Sequence, residues 1–192
     1  MTFVLPKSAV LLAGLALLSC AAYPTAVAKQ RLEVVERESN PERLAARARA
    51  FLAIGDYTRA EQYLNAALEN GGRESEILPA LLSICVKDRR YRSAIQYAED
   101  YLRKHPREHR LRFVVASLYV GLGEVEGARV QLERVIEQDP RHADAHYALA
   151  VLFRDQAKSY GKADEHFREY LRLDPRGQHA EEAAGSLLRS VP

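Results

Sequence analysis

The 192-residue sequence predicts an all-α fold: a solenoid of about four helical hairpins closed by a C-terminal capping helix. Three recurrences predict it. An alanine returns at Ala60, Ala94, Ala128 and Ala163, at spacings of 34, 34 and 35 residues. An apolar or aromatic residue lies nine positions before each of the first three (Phe51, Cys85, Tyr119) and ten before the fourth (Phe153). Proline keeps the same beat at Pro106, Pro140 and Pro175. Three markers in one register, at a period near 34, mean stacked helix–turn–helix units. No such unit buries its apolar face alone, so neighbours must lean on each other and the ends need covers.

The repeats fall at about 41–74, 75–108, 109–142 and 143–177. Each is a helix, a tight turn, an antiparallel second helix and a link. Repeat 1 turns at Gly55-Asp56-Tyr57, where glycine supplies the left-handed conformation that ends a helix. Repeat 2 turns at Asp88-Arg89-Arg90-Tyr91 without a glycine, so strain is expected there. Repeat 3 turns at Gly123-Glu124. Repeat 4 carries one extra residue between Gln156 and Lys162. It is placed in the turn, because an insertion inside a helix would break its register. Small residues at Ala48, Ala60, Ala94, Ala116, Ala128, Ala150 and Ala163 let helices approach. Leu44, Leu64, Leu81, Val115, Leu132, Leu149, Phe167 and Tyr170 fill between them, each worth about 1.5–3 kcal/mol when buried. Within 178–192, His179 to Arg189 reads as the capping helix, with Leu187 and Leu188 as its contacts.

The segments Gly55-Asp56-Tyr57-Thr58-Arg59-Ala60, Ala148-Leu149-Ala150 and Tyr170-Leu171-Arg172-Leu173-Asp174-Pro175 resemble the tetratricopeptide repeat. The resemblance covers residues 41–175. It implies a right-handed superhelix whose first helices line a concave groove that holds another protein. Arg47 and Arg112 depart from it, standing where an apolar residue is usual, and more open hairpin faces are expected there. The groove positions it implies include Arg49, Leu52, Val86, Arg110, Phe113, Ser117, Val120, Tyr147, Val151 and Arg154. Phe113, Val120, Tyr147 and Val151 would form an apolar anchor for a peptide or helix, with the arginines orienting carboxylates. The competing reading puts Phe113 and Tyr147 in the core between repeats. The Lys–Asn clamp by which some family members hold acidic C-terminal tails is absent.

Ahead of the repeats, Lys7 precedes the apolar run Ser8–Leu18. As a helix it would rise only about 16 Å, against a hydrocarbon core about 30 Å thick, so it reads as a signal peptide. Leu17-Leu18-Ser19-Cys20 resembles a lipobox. That implies a signal peptide of 1–19, cleavage before Cys20 and lipidation of its thiol. The following Ala21 implies the periplasmic face of the bacterial outer membrane. The alternative is cleavage at Ala26-Val27-Ala28 and release into the periplasm. Residues 20–40 are then a tether that can hold a short helix.

Net charge is +2, with 28 basic and 26 acidic residues scattered along the chain, which leaves no footprint for nucleic acid. With only Cys20 and Cys85, a disulfide framework is not expected, and Cys85 is expected buried and inert. The motifs of hydrolases, P-loop enzymes and zinc proteases are absent. His142 and His146, four apart, could share a helix face, but a metal site needs three or four converging ligands. No catalytic residue, metal, cofactor or small-molecule substrate is therefore expected. The expected function is a scaffold or adaptor lipoprotein. A lipobox joined to tetratricopeptide repeats resembles the lipoproteins that assist type IV or Tad-type pilus secretins. Adaptors for a periplasmic protease or motility complex, and soluble periplasmic chaperones, are the alternatives.

Overall fold

The computed structural model describes residues 29–30 and 38–188. The signal segment, Cys20 and most of the tether lie outside the described residues. Four hairpins follow one another: α1 (Pro41–Ala53) with α2 (Tyr57–Glu69), α3 (Glu74–Lys87) with α4 (Tyr91–Lys104), α5 (His109–Gly121) with α6 (Val125–Gln138), and α7 (Ala143–Asp155) with α8 (Tyr160–Leu173). A short α9 (Ala180–Gly185) closes the stack against α8. The described residues contain no strand, and none of their helices is long and apolar enough to cross a membrane.

The turns within the hairpins are built alike. The amide that leads into each second helix donates back to the apolar marker of the first. Asp56 bonds the Phe51 carbonyl (3.0 Å), Arg90 that of Cys85 (2.7 Å), Glu124 that of Tyr119 (2.9 Å) and Ser159 that of Phe153 (2.8 Å). One left-handed residue makes each closure: Gly55, Arg89, Gly123 and Lys158, with φ between 52° and 76°. Three residues separate the helices in the first three hairpins and four in the last, so the inserted residue lies in the turn. Between hairpins, His105, Asp139 and Asp174 leave the helical region (φ −127° to −138°, ψ 66° to 86°), because a following proline disfavours it. Repeat 1 has no proline in its link and turns instead on Gly71, at φ +85°.

The core runs through the stack in three adjoining clusters, centred on Leu64 and Leu81, on Cys85 and Val115, and on Leu149, Phe167 and Tyr170. The seven small residues expected at helix contacts are at most 3% exposed. Cys85 is fully buried, which pushes its thiol pKa up and leaves it a poor nucleophile.

Two expectations need correction. The hairpin face at Arg112 is not open: Arg112 is only 7% exposed. Its Nη1 donates to Gln131 Oε1 (3.0 Å) and its Nη2 to the Pro106 carbonyl (3.1 Å), so backbone and amide oxygens replace the apolar packing. At Arg47 the face is exposed, with the guanidinium 6.0 Å from the Tyr63 ring. The capping helix is shorter than the span 179–189, since α9 ends at Gly185, where glycine weakens the helix. Ala183 and Leu187 make its apolar contacts. Leu188 is 50% exposed and is held through its backbone, its amide donating to Asp164 Oδ1 (2.7 Å).

Candidate functional site

The 34-residue register turns the expected groove residues into ladders, one rung on each of α1, α3, α5 and α7. One ladder is Leu52, Val86, Val120 and Arg154. A second is Arg49, Ser83, Ser117 and Val151, and a third is Ala45, Pro79, Phe113 and Tyr147. The rungs differ in exposure, and that difference separates those open to solvent from those covered by the chain.

Over repeats 1 to 3 these rungs are open to solvent. Val86 is 41% and Val120 is 50% exposed, unusual for valine, and they continue from the half-buried Leu52. Arg49 is exposed, its Nε bonded only to the Ala45 carbonyl of its own helix (3.3 Å). It lines a depression of about 200 Å³ between α1 and α3, shared with Ala45, Arg73, Glu76 and Ala80. Arg110 is exposed, and the exposed Ser117 hydroxyl donates to the Phe113 carbonyl (3.0 Å). The Phe113 ring is half-buried, with its centroid 4.8 Å from that of His142, so it reaches the start of the next first helix. Positive, hydrogen-bonding and apolar groups therefore alternate across three neighbouring helices.

At repeat 4 the corresponding rungs are covered by the chain itself. Tyr147 stacks on His179 (centroids 3.9 Å apart, planes 8° apart), and its hydroxyl donates to Glu182 Oε2 (2.6 Å). Arg154 donates to Glu182 Oε1 (3.1 Å), to Ser186 Oγ (2.7 Å) and to Asp155. Burial and the Glu182 carboxylate push the Tyr147 phenol up to about 12. The hydrogen bonds from Tyr147 and Arg154 hold Glu182 below the usual carboxylate range. Val151 is half-buried beside them. The capping segment thus covers Tyr147 and Arg154, and Tyr147 packs between the last repeat and its cap.

His142 and His146 are not brought onto one ligand. His142 Nδ1 caps α7 by accepting from the Ala145 amide (3.2 Å). His146 is buried, with Nε2 on the Pro140 carbonyl (3.2 Å) and Nδ1 on His166 Nδ1 (3.1 Å). Among the described residues no group of three His, Cys, Asp or Glu side chains could hold a metal. Sequence reasoning missed the pairings of Arg112 with Gln131 and of His146 with His166. The register was the available signal, because it puts both Arg112 and His146 where repeats 1 and 2 carry Leu44 and Leu78.

Residues 86–134, 116–178 and 41–70 match models of the tetratricopeptide repeat. The chain is 43% identical over 58 residues to the type IV pilus assembly protein PilF of Pseudomonas aeruginosa. That stretch is 30% of this chain and spans only 23% of the length of PilF. YrrB, described as a tetratricopeptide-repeat protein with an unusual peptide-binding site, superposes with a TM-score of 0.63 at 22% identity, over 77% of this chain and 76% of its own. A tetratricopeptide-repeat protein of Parabacteroides merdae superposes with a TM-score of 0.68 at 24% identity, over 78% and 59%. MamA superposes with a TM-score of 0.62 at 16% identity, over 78% and 88%. At these identities the three structures show a shared fold.

Proposed function

Because the chain belongs to the tetratricopeptide-repeat family, we propose that it is a non-catalytic adaptor of the bacterial cell envelope. In this reading a lipid on Cys20 holds it at the periplasmic face of the outer membrane. The groove of α1, α3 and α5 receives a helix or peptide of a partner, a subunit of an outer-membrane machine such as a type IV or Tad-type pilus secretin. One observation carries the reading: Val86 and Val120, one repeat apart on neighbouring first helices, leave apolar surface in water. Arg49 and Arg110 are exposed on the same set of first helices, suited to the carboxylates of a polypeptide. The stretch shared with PilF supports the choice of a pilus machine. The Ala26-Val27-Ala28 site supports a second reading, a soluble periplasmic chaperone.

The test substitutes Val86→Asp together with Val120→Asp, two exposed positions whose counterpart in repeat 4 is the charged Arg154. A secretin or other outer-membrane assembly subunit should co-purify with the wild-type chain from solubilised outer membranes and be lost with the variant, at unchanged helicity. Equal recovery with both would sink the groove reading. Palmitate incorporation that disappears in Cys20→Ala supports the anchored form. Its absence from the wild type favours the soluble one.

A further inference from the structure

We propose that the cleft between α4 and α6, walled by Arg103, Arg112 and Arg134, is a binding site for a small oxyanion, a carboxylate or a phosphate. The cleft has a volume of about 410 Å³ and lies on the side of the second helices, away from the groove ladders. Arg112 reaches it from α5. A guanidinium has five N–H donors. Arg112 spends two of them, on Gln131 and on the Pro106 carbonyl, which also accepts from Gln138 Nε2 (2.8 Å). Its Nε is buried with no partner. Three donors are therefore uncommitted on a cation that is more than nine-tenths buried.

Neither of its partners is a carboxylate, and Arg112 forms no ion pair with any described residue. Burial of a charge without a counter-ion is costly, and here a second cation adds to the cost. Arg134 lines the same cleft, is exposed, and likewise has no ion pair among the described residues. Burial, then the charge of Arg134, push the Arg112 pKa down, against the opposing pull of Glu137 and Glu99. Arg103 also borders the cleft, although Asp100 partly neutralises it (2.6 Å). The one carboxylate in the wall, Glu99, accepts the Tyr119 hydroxyl (2.9 Å).

The fold does not require an arginine here, since Leu44 and Leu78 fill the same place in repeats 1 and 2. An oxyanion between Arg112 and Arg134 would supply the missing charge and accept from planar guanidinium forks, the geometry that suits both carboxylate and phosphate.

The experiment follows the Arg112 Nε–H resonance of the full chain by ¹H–¹⁵N NMR. Inorganic phosphate or acetate is titrated in at constant ionic strength, with chloride as the reference salt. The expected result is a saturable shift with phosphate or acetate, weakened about tenfold or more in Arg134→Gln, where one charged contact is lost. Arg134 is exposed, so that variant keeps the fold. Tighter binding of phosphate would assign the site to a phosphate group, and tighter binding of acetate to a polypeptide carboxylate. A response to both anions no different from chloride, or one unchanged by Arg134→Gln, would overturn the proposal.

Discussion

Arg112 and His146 stand at the same place in consecutive repeats, 34 residues apart, and each bonds the carbonyl of the proline six residues before it, Pro106 and Pro140. Their second partners correspond as well. Gln131 on α6 and His166 on α8 are 35 residues apart, the repeat plus the inserted turn residue. Repeats 1 and 2 carry leucine and tyrosine at these two places, Leu44 with Tyr63 and Leu78 with Tyr97. The stack therefore changes from apolar to polar packing at its midpoint.

That change sets a stability prediction. Arg112→Leu with Gln131→Tyr copies repeat 2 and removes a buried charge with no counter-ion. The double variant should be more stable than the wild type by about 1–3 kcal/mol, read from the midpoint of urea unfolding at unchanged slope. A loss of stability would mean that the polar pair contributes more than its burial costs.

The histidine pair predicts a pH dependence. The Pro140 carbonyl only accepts, so neutral His146 carries its proton on Nε2, and its bare Nδ1 accepts from His166 Nδ1–H. Burial, then the charge of His146, lower the His166 pKa below 6.5, against the opposing pull of Glu165, Glu133 and Glu169. In the unfolded chain His166 titrates near its ordinary 6.5. Below that value the unfolded state binds a proton that the folded state resists, so the stability present above pH 6.5 is lost as pH falls. His166→Gln, which copies Gln131, should flatten urea midpoints measured between about pH 7 and pH 5. An unchanged slope would show that another group sets the dependence.

Backbone strain gives a third prediction. Arg89 and Lys158 hold left-handed φ angles of 57° and 52° where repeats 1 and 3 use Gly55 and Gly123. A side chain there costs about 1–2 kcal/mol, while glycine loosens the unfolded chain by about 0.4–1 kcal/mol. Arg89→Gly and Lys158→Gly should each stabilise by a few tenths to about 1 kcal/mol, and Gly55→Ala should destabilise by about 1 kcal/mol. Thermal melts of the three variants check the order.

The cap supplies the fourth. Tyr147→Phe removes the hydroxyl that meets Glu182 (2.6 Å), a bond to a charged acceptor worth about 1.5–3 kcal/mol. Amides of α9 should then exchange with solvent faster, while those of α3 keep their protection. Glu182→Gln should bring the Tyr147 titration down from about 12, observed by ultraviolet absorbance. The folded-state phenol pKa is raised, so its contribution to stability is complete below about pH 10 and is lost as pH rises through about 12. Uniform acceleration of exchange across α3 and α9 would count against a local lock.

Much of this architecture was legible in the sequence because its markers recur within the chain. Phe51, Cys85, Tyr119 and Phe153 are the recurring apolar markers, and their carbonyls receive the turn-closing bonds. The spacing of 35 in repeat 4 puts the extra residue in a turn, and the turn has it. The groove was less legible. Tyr147 and Arg154 read as groove residues from their own helix, yet Glu182, 35 and 28 residues away, takes both. Arg112 read as opening a face because its partners, Pro106 and Gln131, belong to other elements.

By itself the sequence determined the number of hairpins, the place of each turn and the spacing of the core. A period is a local property, and helix geometry converts it directly into facing residues. Tertiary structure alone decided which polar side chains are enclosed, which groove rungs stay open at Val86 and Val120, and how far the cap reaches. Those outcomes depend on groups from separate helices meeting at bonding distance, and only the stacking of one hairpin on the next brings them there.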